Sequence, residues 1–242
     1  MSTIIQSIKR YFSTTHTLLY SYLISLPLLL LYEVLIFISQ PDSEHIVRIS
    51  VDIWIKTLFA YFSRDVLSIT LILVALSGMY ILYRERKKLA SLKLSYFMTM
   101  LVEASVYAFL LSVLITITIS NLLQMAQVSP IESLSLLQQM ALSLGAGLYE
   151  ELFFRVILVS ALLWTFNHFF SKRKTAYMLA ILLAALIFSL VHYIGSMGDP
   201  FTLGSFLFRF LFGLALNAIY VWRGFGMAAW THALYDLMVI VF

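Results

Sequence analysis

Residues 17–39 read TLLYSYLISLPLLLLYEVLIFIS, 23 residues with a single charge, Glu33. A helix needs about 20 mostly apolar residues to cross the hydrocarbon core of a bilayer, and this run supplies them. Lys9 and Arg10 precede it, which superficially resembles a signal peptide. The run is too long for a signal-peptide core, and no small-residue cleavage site follows it, so it reads as a retained first span. Working outward, similar apolar segments recur at roughly 65–83, 96–123, 135–167, 175–194, 202–221 and 226–242. The expectation is an all-α, polytopic transmembrane helix bundle of about seven spans (six to eight).

Composition agrees. Of 242 residues, 62% are hydrophobic and 12% charged, and mean hydropathy is +0.94. A soluble fold needs a polar exterior that this chain cannot build. Cysteine is absent, which excludes disulfides, thiolate metal sites and a cysteine nucleophile. The net charge of +4 comes from short basic clusters between apolar runs, a pattern of membrane orientation rather than nucleic-acid binding. Lys9-Arg10, the run 84–88 with Lys93, Lys172-Arg173-Lys174 and Arg223 fall on one side when seven spans are threaded. Pro41-Asp42-Ser43-Glu44, Glu132 and Asp199 fall on the other. The expectation is a multi-pass protein of a prokaryotic cell membrane with a cytoplasmic N-terminus.

Residues 45–62 differ from the other segments. Arg48, Asp52 and Lys56 stand at i, i+4 spacing and form one charged stripe on a helix, with Val51, Trp54, Ile55, Leu58 and Phe59 around it. This reads as an interfacial amphipathic helix; the alternative is a span whose polar face is covered by protein. The segment 135–167 is longer than one span requires and contains Gly145 and Gly147; either it kinks there or its ends project from the membrane. The chain divides into an N-terminal transmembrane region, 1–134, and a core, 135–242, that carries the chemistry.

Ionisable groups inside apolar spans are costly and point to function. Three constellations stand out. In Glu150-Glu151-Leu152-Phe153-Phe154-Arg155, Glu151 and Arg155 have the i, i+4 spacing of a helical ion pair, while Glu150 is rotated by about 100° off that face. Phe188 and His192 share a face near the end of the next span. His232 and Asp236, again i, i+4, stack in the last one, so that Asp236 can orient His232 or join it at a ligand. Taken singly, each also fits a structural ion pair, an interfacial histidine or a self-satisfied buried pair. Together they supply a general base and oxyanion stabilisers with no serine or cysteine elbow.

These motifs, in this order, resemble those of the CPBP family of intramembrane proteases, the type II CAAX prenyl endopeptidases and their bacterial relatives, often labelled abortive-infection (Abi) proteins. The family pattern EExxxR, FxxxH, HxxxN/D appears here as EELFFR at 150–155, FSLVH at 188–192 and HALYD at 232–236. The resemblance covers about 135–242 and includes the small-residue lead-in Gly145-Ala-Gly-Leu-Tyr-Glu-Glu. It implies that Glu150 activates a water held by His192, that His232 and Asp236 stabilise the oxyanion, and that Glu151, Arg155 and Phe188 support the site. Asp236 stands where the prenyl-processing enzymes usually carry Asn. An ionised Asp repels an oxyanion, so it either stays protonated or acts by orienting His232.

The implied function is endopeptidase cleavage of a peptide or membrane-protein substrate, lipidated or not, within the bilayer, with no cofactor. The short chain points away from a prenylated substrate. Zinc held by Glu150, His192 and His232 is the competing mechanism, since the family has carried a metalloprotease label, although the HExxH spacing is absent. A transporter or scaffold is the competing class. The sequence shows neither repeat symmetry nor paired broken helices to favour a transporter.

Overall fold

The computed structural model describes residues 2–40, 46–60, 66–123, 134–195 and 198–241. Among them there is no strand. The helices are α1 (Ser2–Thr15), α2 (Leu18–Ser39), α3 (Ser50–Ala60), α4 (Val66–Arg84), α5 (Leu94–Leu123), α6 (Leu136–Gly145), α7 (Ser160–Phe169), α8 (Arg173–Val191), α9 (Leu203–Arg223) and α10 (Phe225–Val241). Wide-turned π-helix from Ala146 to Glu150 and from Leu152 to Val159 joins α6 to α7, so 136–169 is one continuous rod. The acidic positions Asp42, Glu44 and Glu132 lie outside the described residues.

Five helices are long and apolar enough to cross a membrane: Leu18–Ser39, Leu94–Ile115, Leu136–Phe169, Arg173–Val191 and Leu203–Arg223. Thr70–Arg84 and Phe225–Val241 are apolar but shorter. The expected count of about seven therefore exceeds what length and composition support. At 1.5 Å per residue, the 17 residues of α10 reach only about 25 Å, less than the roughly 30 Å hydrocarbon core.

At Gly145 and Gly147 the helix continues without a break and changes from α to π. Both glycines serve close packing. A Cβ on Gly145 would stand 2.4 Å from the Tyr32 ring, and one on Gly147 would stand 2.5 Å from the Ala229 carbonyl oxygen. The second contact sets the backbone of the Glu150 segment directly against α10. Small residues do the same elsewhere, as is usual where helices associate in lipid. Ala176, Ala180 and Ala184, at every fourth position of α8, are fully buried, and Gly213 of α9 lies against Ala185 and Phe188. Helices α2 and α5 pack onto α6, α9 and α10, so the first third of the chain shares its core with the last.

The stripe on 45–62 also departs from expectation. Its charges face inward. Helix α3 covers 11 described residues. Arg48 reaches Glu33 of α2 at 2.9 Å and Asp52 at 3.0 Å, and Lys56 reaches Glu33 at 2.9 Å. Tyr32 donates to Asp52 at 2.7 Å, while Ile53, Trp54 and Leu58 remain exposed. Two carboxylates and two cations neutralise one another, and that makes turning inward against α2 tolerable.

A second buried ion pair ties α5 to the end of α9. Arg223 donates to both oxygens of Glu103 at 2.7 and 2.9 Å and to Thr15 of α1 at 2.9 Å. Tyr11 and Tyr107 also donate to Glu103. Gly224, at φ +90°, turns the chain from α9 into α10.

Candidate active site

The π-helical rod, α8, α9 and α10 bring the three motifs together. Glu151 and Arg155 form the expected pair, 2.8 Å apart and both fully buried. The same Glu151 oxygen also accepts from Nδ1 of His232 at 2.7 Å, a link between residues 81 apart that the sequence did not disclose. Because a carboxylate only accepts, the proton of His232 in this contact sits on Nδ1. The other ring nitrogen points toward Asp236, whose Oδ2 is 3.5 Å away. Glu151 thus fixes the ring of His232 as well as bracing Arg155.

Glu150 lies off that face and meets His192. Its Oε2 stands 3.9 Å from His192 Nε2, too far for a direct hydrogen bond and within the range where a water joins two groups. His192 Nδ1 lies 2.7 Å from the Phe188 carbonyl oxygen, so this nitrogen is the donor and Nε2 is left facing Glu150. Phe188 adds its ring: the Arg155 guanidinium stacks over it at 4.5 Å, and it meets the His192 ring edge-on at 4.9 Å. Phe212 of α9 packs edge-on against His232 at 5.1 Å. These rings and Phe154 wall the site on its inner side.

Side-chain exposure is graded through the cluster. His232 is 4% exposed, Glu150 12%, His192 25% and Asp236 30%. Asp236 is consequently less enclosed than its place in an apolar segment suggests.

One further cation stands beside these groups. Arg209 of α9 acts electrostatically on Glu150, His192 and Asp236. It is held by Asp199 and Ser205 and by the Tyr193 hydroxyl at 3.0 Å. The Asp199 backbone N–H donates to the His192 carbonyl at 2.9 Å, so the turn carrying His192 is fastened to α9. The signal for this in the sequence is a charge, Arg209, in an apolar run, without any hint of its partner across the loop.

Residues 132–238 match the model of a family described as type II CAAX prenyl endopeptidase, Rce1-like. Over this stretch the chain is similar to that family of CAAX endopeptidases. The match begins just ahead of α6 and ends two residues beyond Asp236, so the Rce1-like region holds all three motifs and Arg209. No curated protein and no solved structure matches the chain. Among the described residues, no three side chains of His, Cys, Asp or Glu converge as a metal would require.

Proposed function

We propose that the chain is an intramembrane endopeptidase in which Glu150 activates a water for attack on a peptide bond. The observation that carries this reading is the 3.9 Å separation between the Glu150 carboxylate and His192 Nε2, beside a histidine locked by Glu151. Water held between Glu150 and His192 gives a proton to the carboxylate as its oxygen bonds to the scissile carbonyl carbon. The carbonyl π electrons move to oxygen, and the resulting oxyanion is stabilised from the His232–Asp236 side. When the intermediate collapses, the C–N bond breaks and Glu150 returns its proton to the leaving amine. The products are a new carboxyl terminus and a new amino terminus. Arg155 and Phe188 do not touch the reacting atoms; they hold Glu151 and His192 in place.

The reaction proceeds without metal in this proposal. The three candidate zinc ligands, Glu150, His192 and His232, are not gathered around a common centre. In this reading α4 and α10 also cross the membrane, giving seven spans; the 17 residues of α10 stand at the lower end of the roughly 17–25 that suffice, and the bilayer thins locally to meet them.

The test compares membranes holding the wild-type chain with membranes holding Glu150→Gln, by mass spectrometry of new peptide termini. Termini that depend on Glu150 and persist after exhaustive chelation are expected. Termini identical in both membranes would refute the protease reading, and loss on chelation with recovery on added zinc would establish the metal route.

A further inference from the structure

The proposed active site lies toward one end of the bundle, and the basic residues lie at the other. Helix α8 begins at Arg173, beside Lys172 and Lys174, and runs 19 residues to His192. That is about 28 Å of helix, nearly the thickness of the hydrocarbon core. Helix α9 returns from Leu203, with Arg209 in its second turn, to Arg223. Helix α10 starts again at the Arg223 end and carries His232 and then Asp236 toward the far end. Exposure rises along the same direction, from His232, which is nearly enclosed, to His192 and Asp236.

The remaining basic segments sit at the Arg223 end. Thr15 of α1 contacts Arg223, and Lys9 and Arg10 lie exposed on that helix. The start of α2 is tied to the basic stretch 84–93: Tyr20 donates to the Ser91 carbonyl at 3.0 Å and accepts from the Lys93 N–H at 2.9 Å. At the opposite end, the described cations Arg48, Lys56 and Arg209 are each engaged by carboxylates. An excess of Lys and Arg near the span ends marks the cytoplasmic side of a membrane protein.

We infer that the proposed active site opens to the extracytoplasmic face of the membrane, and that its substrate is a segment of a membrane-anchored polypeptide presented on that face. The inference rests on the protease reading for its chemistry but not for its orientation. The outer mouth consists of the His192–Gly195 turn, Asp199, Arg209 and Asp236. The phenylalanine wall and the Ala-rich α8–α9 contact separate it from the basic side. Chains confined to the cytoplasm do not reach Glu150; chains whose cleavable segment has been translocated, or protrudes just outside a span, do.

The absence of cysteine makes a direct test clean. Single cysteines are placed near the mouth, Ile194→Cys and Phe201→Cys, both at strongly exposed positions, and at the basic end, Lys87→Cys and Lys172→Cys. Intact cells are treated with a membrane-impermeant maleimide before and after permeabilisation. The mouth positions are expected to label in intact cells as fully as after permeabilisation, and the basic-end positions only after it. The reverse pattern, or equal labelling of both sets, overturns the inference. In a second arm, a membrane-anchored reporter carries one cleavable segment on either side of its span, with Glu150→Gln as control. Glu150-dependent cleavage of the outer segment alone is expected, and cleavage of the inner segment overturns the inference. Labelling as expected with no Glu150-dependent cleavage on either side breaks the protease reading and leaves the orientation standing.

Discussion

Around Arg48, four charged side chains from two helices meet at 2.9–3.1 Å; at Glu150 and His192, the facing groups stop 3.9 Å apart. Both clusters place carboxylates in a bundle read as membrane-embedded, yet they are built on opposite plans. In the N-terminal cluster, acids and bases are equal in number and each carboxylate meets two cations. The Glu103–Arg223 pair is closed in the same way. In the C-terminal cluster, Glu151 alone is paired tightly, with Arg155 and His232, while Glu150 and Asp236 keep looser partners and more exposure. Closed clusters hold helices together. A cluster that leaves a carboxylate and an imidazole facing each other without contact has room for a reacting atom, and in the proposed mechanism that difference separates structural charge from chemical charge.

Five substitutions test this contrast. The largest effect is expected from Glu150→Gln, which preserves shape and removes the base. Activity should fall by about 10²–10⁴-fold, the usual worth of a positioned general base, while melting in detergent stays at the wild-type value. Unchanged activity would move Glu150 into the structural class. Next is Glu151→Gln, which leaves fully buried Arg155 without its charge partner and releases His232. Breaking such a pair costs about 3–5 kcal/mol, so the melting temperature and the yield of folded protein should both drop, unlike those of Glu150→Gln.

Gly147→Ala should come third. Its new methyl group meets the Ala229 carbonyl at 2.5 Å, and relieving the overlap costs about 1–3 kcal/mol. Because the displacement separates the Glu150 segment from α10, activity should fall by more than stability alone explains, which a comparison of kcat with the melting curve will show. Asp236→Asn is expected to be mild if Asp236 works as a neutral hydrogen-bond donor. The change should stay within about tenfold across a broad pH range, the scale of one exchanged hydrogen bond. A loss at neutral pH that recovers in acid would instead make Asp236 the charged partner of His232. Glu33→Gln should do least. Asp52 still serves Arg48 and Lys56, so two partly exposed pairs worth about 1 kcal/mol or less each are lost, with catalysis untouched.

The parts of this molecule that were legible in the sequence depend on local spacing. The apolar runs predicted the long helices, and the i, i+4 rule predicted the contact of Glu151 with Arg155 and the approach of His232 to Asp236. What stayed hidden depends on which helix lies beside which. The Glu151–His232 hydrogen bond joins two helices 81 residues apart, and nothing in either motif announces it. The stripe on α3 was visible as a stripe, but its direction is decided by Glu33 on a different helix. Gly145 and Gly147 suggested a kink because glycine in isolation weakens a helix; their reason is the proximity of Tyr32 and α10. Arg209 was conspicuous as a charge, but its clasp on the His192 turn arises only when the loop brings Asp199 alongside.

The aromatic wall behind His232 has a consequence for the cell as a whole. A polar dent reaching toward the middle of a bilayer is halfway to a pore, and a pore would discharge the ion gradients on which the membrane depends. Here the dent ends at His232. Around it, Phe154, Phe188, Phe212 and Leu216 are almost wholly buried, an apolar lining that opposes the passage of ions. In the proposed protease the bundle would thereby admit water for chemistry at one end and resist leakage across the rest.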